Sequence, residues 1–193
     1  MPSISYGEWR STRARALDEI AQGHAAVSGT KRGRRFNTQQ FNRAYAVMLT
    51  SQFQGFCRDL HGECVAHILA TIAPPPELNR ILRSELTRGR LLDRGNAQPG
   101  SIGADFGRLG VDFWSEVKIH DPRNSTRMNL LDELNLWRNA IVHQDLDKSK
   151  LGGTTILQLQ RVRRWRGACN RLARAFDEVM RRRLQDLTGS SPW

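Results

Sequence analysis

Segment 38–72 is the feature that most constrains the fold, because its apolar residues recur at steps of three and four over about ten helical turns. That spacing places them on one face of an α-helix. Thr38 is the expected N-cap, and Pro74-Pro75-Pro76 ends the helix because proline lacks an amide hydrogen and clashes with the preceding turn. An apolar face of this length can pack on the chain's own core or on another subunit. The predicted face consists of Phe41, Tyr45, Met48, Leu49, Phe53, Phe56, Leu60, Cys64 and Ile68.

Helical patterns also cover most of the remaining sequence. The other predicted helices are 6–27, 76–92, 104–118, 125–143 and 155–187. Thr155 and Gln158 resemble a capping box at the start of the last helix. A basic, Gly-containing linker at 28–37 and loops at 93–103 and 144–154 separate these segments.

These patterns predict an all-α fold, since no extended alternation of apolar and polar residues indicates a strand. We expect an up-down bundle of about five to six helices with a long C-terminal helix. The chain has 193 residues, 39% of them hydrophobic, which is enough for one core. It therefore reads as a single domain, 1–193, with the core at about 38–187 and an N-terminal helix and basic linker at 1–37.

The charge balance points to a polyanionic partner. The sequence has 30 Lys and Arg residues against 19 Asp and Glu, a formal charge of +11, and 26 of the basic residues are Arg. The guanidinium group binds phosphate oxygens bidentately, so RNA, DNA and an anionic membrane surface are all candidates. The alternative is a solvated basic surface with no partner. A membrane span is not expected, since no apolar stretch approaches about 18 residues.

The cysteines and the N-terminus predict a cytoplasmic location. Three cysteines are too few for a disulfide scaffold, which favours a reducing compartment. The first residues lack the apolar stretch of a secretory signal.

The sharpest local motif is the run 136–145, LWRNAIVHQD, near the end of a predicted helix. Asn139 and His143 are four residues apart and share a helix face, and the long Arg138 side chain can approach the imidazole. A histidine can exchange a proton, a guanidinium can stabilise phosphoryl charge and an amide can orient either group. Without a metal ion, the simplest nucleophile is the ribose 2′-OH, which makes RNA the substrate and a 2′,3′-cyclic phosphate the product. The alternative is that Arg138 and His143 only cap the helix C-terminus.

Arg138, Asn139 and His143 resemble the motif of HEPN-domain ribonucleases, in which His follows Arg after four to six residues and a polar residue follows the Arg directly. The position also agrees, near the end of a helix, late in an all-α bundle and before a final long helix. The resemblance covers about residues 38–187, and its specific signal is confined to 136–145.

The resemblance implies a metal-independent endoribonuclease that acts as a homodimer, with both motifs lining one basic cleft. Carried over residue by residue, Arg138 is the phosphate stabiliser, His143 the acid–base group and Asn139 the orienting group. Many HEPN proteins are toxins with a cognate antitoxin, often a small nucleotidyltransferase, or act in phage defence. Others lack activity and only bind nucleic acid or nucleotides.

A second group of polar residues lies in the long helix, where Cys57, His61, Cys64 and His67 follow one side. Positions 57 and 67 are about 15 Å apart along the axis, so one tetrahedral zinc ion cannot bind all four, and no metal is expected. HEPN bundles place a polar residue of an earlier helix beside the Arg–His pair. Asp59 or His61 could take that place, although an ordinary ion pair is the alternative.

The last helix carries many arginines outside its apolar seam, and Arg161, Arg164 and Arg171 are the candidate RNA-binding residues. A solvated face is the alternative for them. No Gly-rich phosphate loop or other cofactor motif occurs, so no cofactor is expected. Two other functions stay open: a non-catalytic basic module that binds nucleic acid, and an interaction protein whose apolar seams bind a helical partner.

Overall fold

The long helix predicted from the apolar spacing is the central element of the fold. In the computed structural model, which describes residues 1–28 and 36–193, it is α3 and spans Phe36–Ile72. Thr38 therefore lies in its first turn and is not the N-cap. The helix ends directly before the proline run, as predicted, and Ala73 adopts a positive φ of 46° there.

The rest of the described chain is also helical, with no strand in either described range. In chain order the other elements are α1 (Ile4–Glu8), a π-helical turn (Trp9–Arg13), α2 (Ala14–Ser28), α4 (Pro76–Thr87), α5 (Leu91–Arg94), α6 (Pro99–Gly107), α7 (Phe113–His120), α8 (Asn124–Val142) and α9 (Leu159–Thr188). The all-α class and the long C-terminal helix are thus confirmed. None of the described helices is both long and apolar enough to cross a membrane.

The number of helices is somewhat higher than predicted, because the segments predicted as single helices at 6–27, 76–92 and 104–118 are each divided between two helices. The region read as the loop 93–103 is also partly helical. Pro99 starts α6 at a position where a missing amide hydrogen costs nothing. The buried Asp105 carboxylate accepts the backbone amides of Leu91 and Leu92 at 2.9 and 2.8 Å, which fixes α5 against α6. Such a contact between separate turns leaves no periodic signal in the sequence.

Two further boundaries differ from the prediction. The last helix begins at Leu159 with Gln158 at its N-cap, so the capping box at Thr155 does not form. The basic linker predicted at 28–37 falls, for its residues 29–35, outside the described residues.

α3 is buried over a broader surface than one stripe, because it contacts α2 on one side and α8 and α9 on others. Residues outside the predicted face, such as Ala46, Cys57 and Val65, are fully buried, whereas Met48 is 37% exposed. Most residues of the predicted apolar face are therefore buried, as expected, but the buried surface of α3 is wider than that face. Cys57, Cys64 and Cys169 are buried free thiols.

An aromatic cluster joins the two long helices to the shorter ones. The ring of Phe176 on α9 lies 5.9 Å from that of Phe53 on α3 and 4.8 and 5.5 Å from those of Phe113 and Trp114 on α7. Edge-to-face and tilted pairs of this kind are favourable beyond the area that they bury. The cluster therefore fixes the position of α9 against both α3 and α7.

We predict that Phe176→Ala lowers the free energy of unfolding by roughly 3–5 kcal/mol, because it removes a fully buried ring and leaves a cavity beside the three rings named above. Urea unfolding followed by circular dichroism measures this. Leu187→Ala, at an exposed position near the end of α9, is the control and should cost far less; an equal loss in both variants would contradict the assignment of Phe176 to the core.

Candidate functional site

Arg138, Asn139 and His143 lie in the last turns of α8 and at its C-cap. α8 is packed on α9 by Trp137 and Trp165, whose ring centroids are 6.3 Å apart. The His143 amide donates to the Asn139 carbonyl at 2.9 Å, so His143 closes the last turn as the C-cap. Its side chain is exposed to solvent.

The Asn139 amide connects Arg138 to a neighbouring loop. Its Oδ1 accepts a hydrogen bond from Arg138 Nη1 at 3.2 Å and a second from Asn96 Nδ2 at 2.6 Å. Asn135, one turn earlier on α8, donates to the Ala97 carbonyl at 3.0 Å. The turn between α5 and α6 is therefore attached to the same end of α8.

Two depressions flank Asn139, and they divide the three motif residues. His143 and Asn139 border one, together with Leu136, Ala140 and Leu151. Its volume is about 130 Å³, below the roughly 300–1,000 Å³ typical of small-molecule sites. Its polar edge is Lys150 and Asp145, whose side chains form an ion pair at 3.2 Å.

Arg138 borders the other depression, of about 380 Å³, with Gln54, Asp93 and Asn96 among its neighbours. Arg138 and His143 thus face different depressions of one chain, with Asn139 between them. The hydrogen bond to Asn139 orients the guanidinium. The approach of the guanidinium to the His143 imidazole stays a prediction.

Asn96 was missed by sequence reasoning although it contacts the motif directly. It lies 43 residues before Asn139, in a stretch read as loop, and no spacing connects the two. Gln54 was also missed, because no sequence spacing connects it to the motif. Asp145 stood inside the run 136–145, so its proximity to His143 follows from the sequence.

Asp59 and His61 have partners elsewhere. Asp59 forms an ion pair with Arg13 at 2.5 Å and lies near Arg58. His61 is fully buried, and its Nε2 donates to the Asp105 carbonyl at 3.1 Å. In the part of the chain that the structure describes, neither residue bonds to the motif or lines either depression beside it.

The three arginines of α9 differ in their surroundings. Arg161 donates from Nε to Glu133 on α8 at 2.8 Å, and its guanidinium lies 5.2 Å from the Trp137 ring centroid. It therefore contributes to packing between α8 and α9. Arg164 and Arg171 are exposed, and neither has a carboxylate partner within 1–28 or 36–193; their RNA contacts stay a prediction.

The Cys–His group of α3 is divided between the core and the surface. Cys57 and Cys64 are buried, and burial raises the pKa of both thiols well above the ordinary value. His67 Nε2 is 3.1 Å from the Thr188 hydroxyl. Over the described ranges, no three His, Cys, Asp or Glu side chains are arranged to hold a metal ion.

No protein-family model, curated protein or solved structure matches this chain. The resemblance to HEPN ribonucleases therefore rests on Arg138, Asn139 and His143 and on their helical setting.

We predict that the stability of the fold falls as the pH drops from about 6.5 toward 4. Burial lowers the pKa of His61 from 6.5 to about 4, so between these values the unfolded chain binds a proton that the folded chain excludes. Protonation of the unfolded chain then lowers the free energy of unfolding by up to about 3 kcal/mol. Urea unfolding at a series of pH values measures the slope.

His61→Gln should remove most of that slope, whereas His143→Ala, at an exposed site, should keep it. A His61→Gln protein with the parental pH dependence would show that the slope comes from other groups.

Proposed function

We propose that this protein is a metal-independent endoribonuclease of the HEPN type, acting as a homodimer like the toxin and defence enzymes of that family. The observation that carries the proposal is the end of α8, where Asn139 Oδ1 holds the Arg138 guanidinium at 3.2 Å and His143 is exposed one turn further on. A cation, an amide and an imidazole are thus presented at one helix end.

These groups fit transesterification by the ribose 2′-OH. The His143 imidazole takes the hydroxyl proton as the 2′-oxygen attacks the phosphorus. The bond from phosphorus to the 5′-oxygen breaks, and that oxygen leaves with a proton from a second imidazole. The Arg138 guanidinium stabilises the charge on the phosphoryl oxygens. The products are a 2′,3′-cyclic phosphate and a 5′-hydroxyl end.

A second copy of the chain supplies what one copy lacks. One chain has a single His143, its depression is too small for a nucleotide, and Arg138 borders a different depression. Leu136 and Val142 are 44% and 46% exposed near the same end of α8. They lie about 120° apart around the helix, so a dimer that packs through this helix end would bury both. Pairing the two helix ends brings Arg138 of one copy and His143 of the other to one cleft.

A non-catalytic nucleic-acid-binding protein is the second candidate. Arg164 and Arg171 favour it, because they are exposed, have no carboxylate partner among the described residues and bind phosphate without any need for His143. It predicts binding without cleavage, which the first experiment below measures.

We predict that the purified protein cleaves RNA in the presence of EDTA and leaves cyclic phosphate ends. His143→Ala and Arg138→Ala should each reduce the rate at least about a hundredfold, since each removes a group that acts in the transition state. Arg80→Ala is the charge-matched control, because Arg80 lies on α4 with its side chain 78% exposed. Denaturing gels of a labelled RNA, with folding checked by circular dichroism, give the rates.

Cleavage by His143→Ala at the parental rate would show that the site is wrong. Binding of RNA by the parent with no cleavage under any condition would favour the non-catalytic candidate.

We also predict that the two inactive variants complement each other. The protein should have about twice the 22.0 kDa chain mass in light scattering. After Arg138→Ala and His143→Ala are mixed and re-equilibrated, hybrid dimers carry one intact Arg138 opposite one intact His143, whereas each variant dimer lacks either both arginines or both imidazoles. With water in place of the second imidazole as proton donor, cleavage should exceed that of either variant alone and stay below the parental rate. A mixture as inactive as its components, at a concentration where hybrids are detected by mass, would contradict a shared site.

A further inference from the structure

A groove of about 780 Å³ runs between the N-terminal helical segment and the outer face of α9. Gly167 and Asn170 of α9 form its floor. Tyr6 and Arg10 stand on the N-terminal side, and Arg171 stands on the α9 side. The groove is separate from both depressions at the end of α8.

The N-terminal wall is held in place by hydrogen bonds to the two long helices. The Ser3 amide donates to the Asp177 carboxylate of α9 at 3.1 Å. The Glu63 carboxylate of α3 accepts the amides of Ile4 and Ser5 at 3.0 and 2.6 Å. These contacts fix the start of α1 against the two long helices, so the groove is preformed.

The wall is also attached to the floor. Trp9 is 2% exposed, and its Nε1 donates to Asn170 Oδ1 at 3.1 Å. This bond keeps the π-helical turn Trp9–Arg13 beside α9. The width of the groove is therefore set by packed and hydrogen-bonded groups.

Two of the guanidinium groups at the groove are available to a ligand. Arg10 and Arg171 are exposed, and neither has a carboxylate partner among the described residues. Arg174 instead binds Glu178 at 2.8 Å, and Arg166 binds Asp18 at 2.6 Å. The free positive charges thus lie on opposite walls.

Tyr6 and Gly167 provide the space and the surface for a planar group. The Tyr6 ring is partly exposed, and the Arg10 guanidinium lies 6.0 Å from its centroid. A Cβ built on Gly167 would meet no atom within 4 Å, so the floor is open where a side chain would otherwise stand. An aromatic ring between cations is the arrangement by which proteins bind single-stranded nucleic acids.

We propose that this groove binds a single-stranded segment of RNA away from the bond that is cleaved, with one base stacked on Tyr6 and its phosphates on Arg10 and Arg171. The choice of RNA rests on the proposed function, whereas strand binding in the groove does not require cleavage. A duplex keeps its bases stacked and cannot offer one to Tyr6.

A neighbouring depression, which shares Arg171 and Arg174 with the groove, is a poorer candidate. It also has Arg123 and Arg127 on its rim, but both bind the Asp121 carboxylate, at 3.0 and 2.7 Å. These two arginine side chains lower the pKa of Asp121, so its charge persists at neutral pH. The Asp121 carboxylate therefore offsets part of the charge of these two arginines and engages both guanidinium groups, which favours the groove beside Tyr6.

The test uses the full chain with His143→Ala, so that the probe is not cleaved. The probe is a fluorescent single-stranded oligoribonucleotide, followed by anisotropy at several salt concentrations. Gly167→Glu adds a carboxylate to the groove at a position where a Cβ has room and where glycine is unfavourable in a helix. It should weaken binding about tenfold or more. Gly62→Glu, at an open glycine of α3, adds the same charge elsewhere and should have little effect.

Arg171→Gln and Tyr6→Leu test the two contacts separately. Arg171→Gln should lower the salt dependence of log Kd by roughly one ion, with Arg80→Gln as its control. Tyr6→Leu should weaken binding of the oligonucleotide about fivefold or more, but not of an abasic strand of the same length.

The outcomes separate this proposal from the ribonuclease proposal. Equal weakening by Gly167→Glu and Gly62→Glu, or equal affinity for a duplex and a single strand, would overturn the groove. Loss of binding in the groove variants with no cleavage by the parent would support the groove and contradict the ribonuclease. Cleavage by the parent, with binding unchanged in all groove variants, would support the ribonuclease and contradict the groove.

Discussion

Burial of α3 among its neighbours is the constraint on which the rest of the structure depends. This helix packs on α2, α8 and α9, and its fully buried side chains, Phe53 and Leu60 among them, make up much of the core. Each apolar residue taken from water contributes roughly 1.5–3 kcal/mol, so the positions of the other helices follow from their contact with α3. The orientation of α8, and with it the candidate site, is set by this packing and by the Trp137–Trp165 contact.

Polar contacts fix the positions of two segments that apolar packing alone would leave undetermined. Glu63 on α3 and Asp177 on α9 bind the backbone amides at the start of the chain, which places the N-terminal segment beside α9. Asn135 and Asn139 hold the turn after α5 against the end of α8. At both candidate surfaces, the end of α8 and the Tyr6 groove, side-chain amides or carboxylates of one helix therefore bind groups of another segment and hold it in place.

The arginines of the chain differ in whether a carboxylate already binds their guanidinium group. Arg161, Arg166 and Arg127 are bound to carboxylates, and they connect helices to one another or hold a turn. Arg10, Arg164 and Arg171 remain exposed without such partners in the described part of the chain. The formal charge of +11 already counts every carboxylate, so the ion pairs leave it unchanged. They decide instead which arginines stay free to bind a polyanion.

The sequence by itself determined the all-α class, the extent of α3 and α8 and the Arg138–Asn139–His143 motif, since apolar periodicity and motif spacing are local properties of the chain. It did not determine the α5–α6 region, the start of α9 or the width of the core around α3, because these depend on contacts such as those of Asp105 with Leu91 and Leu92. Only the tertiary structure decided that Arg138 and His143 border different depressions, that Arg161 is bound to Glu133 and that His61 is sealed against Asp105. The physical reason is that periodicity reports which residues lie inside, whereas the partner of a polar side chain depends on which distant segment packs beside it.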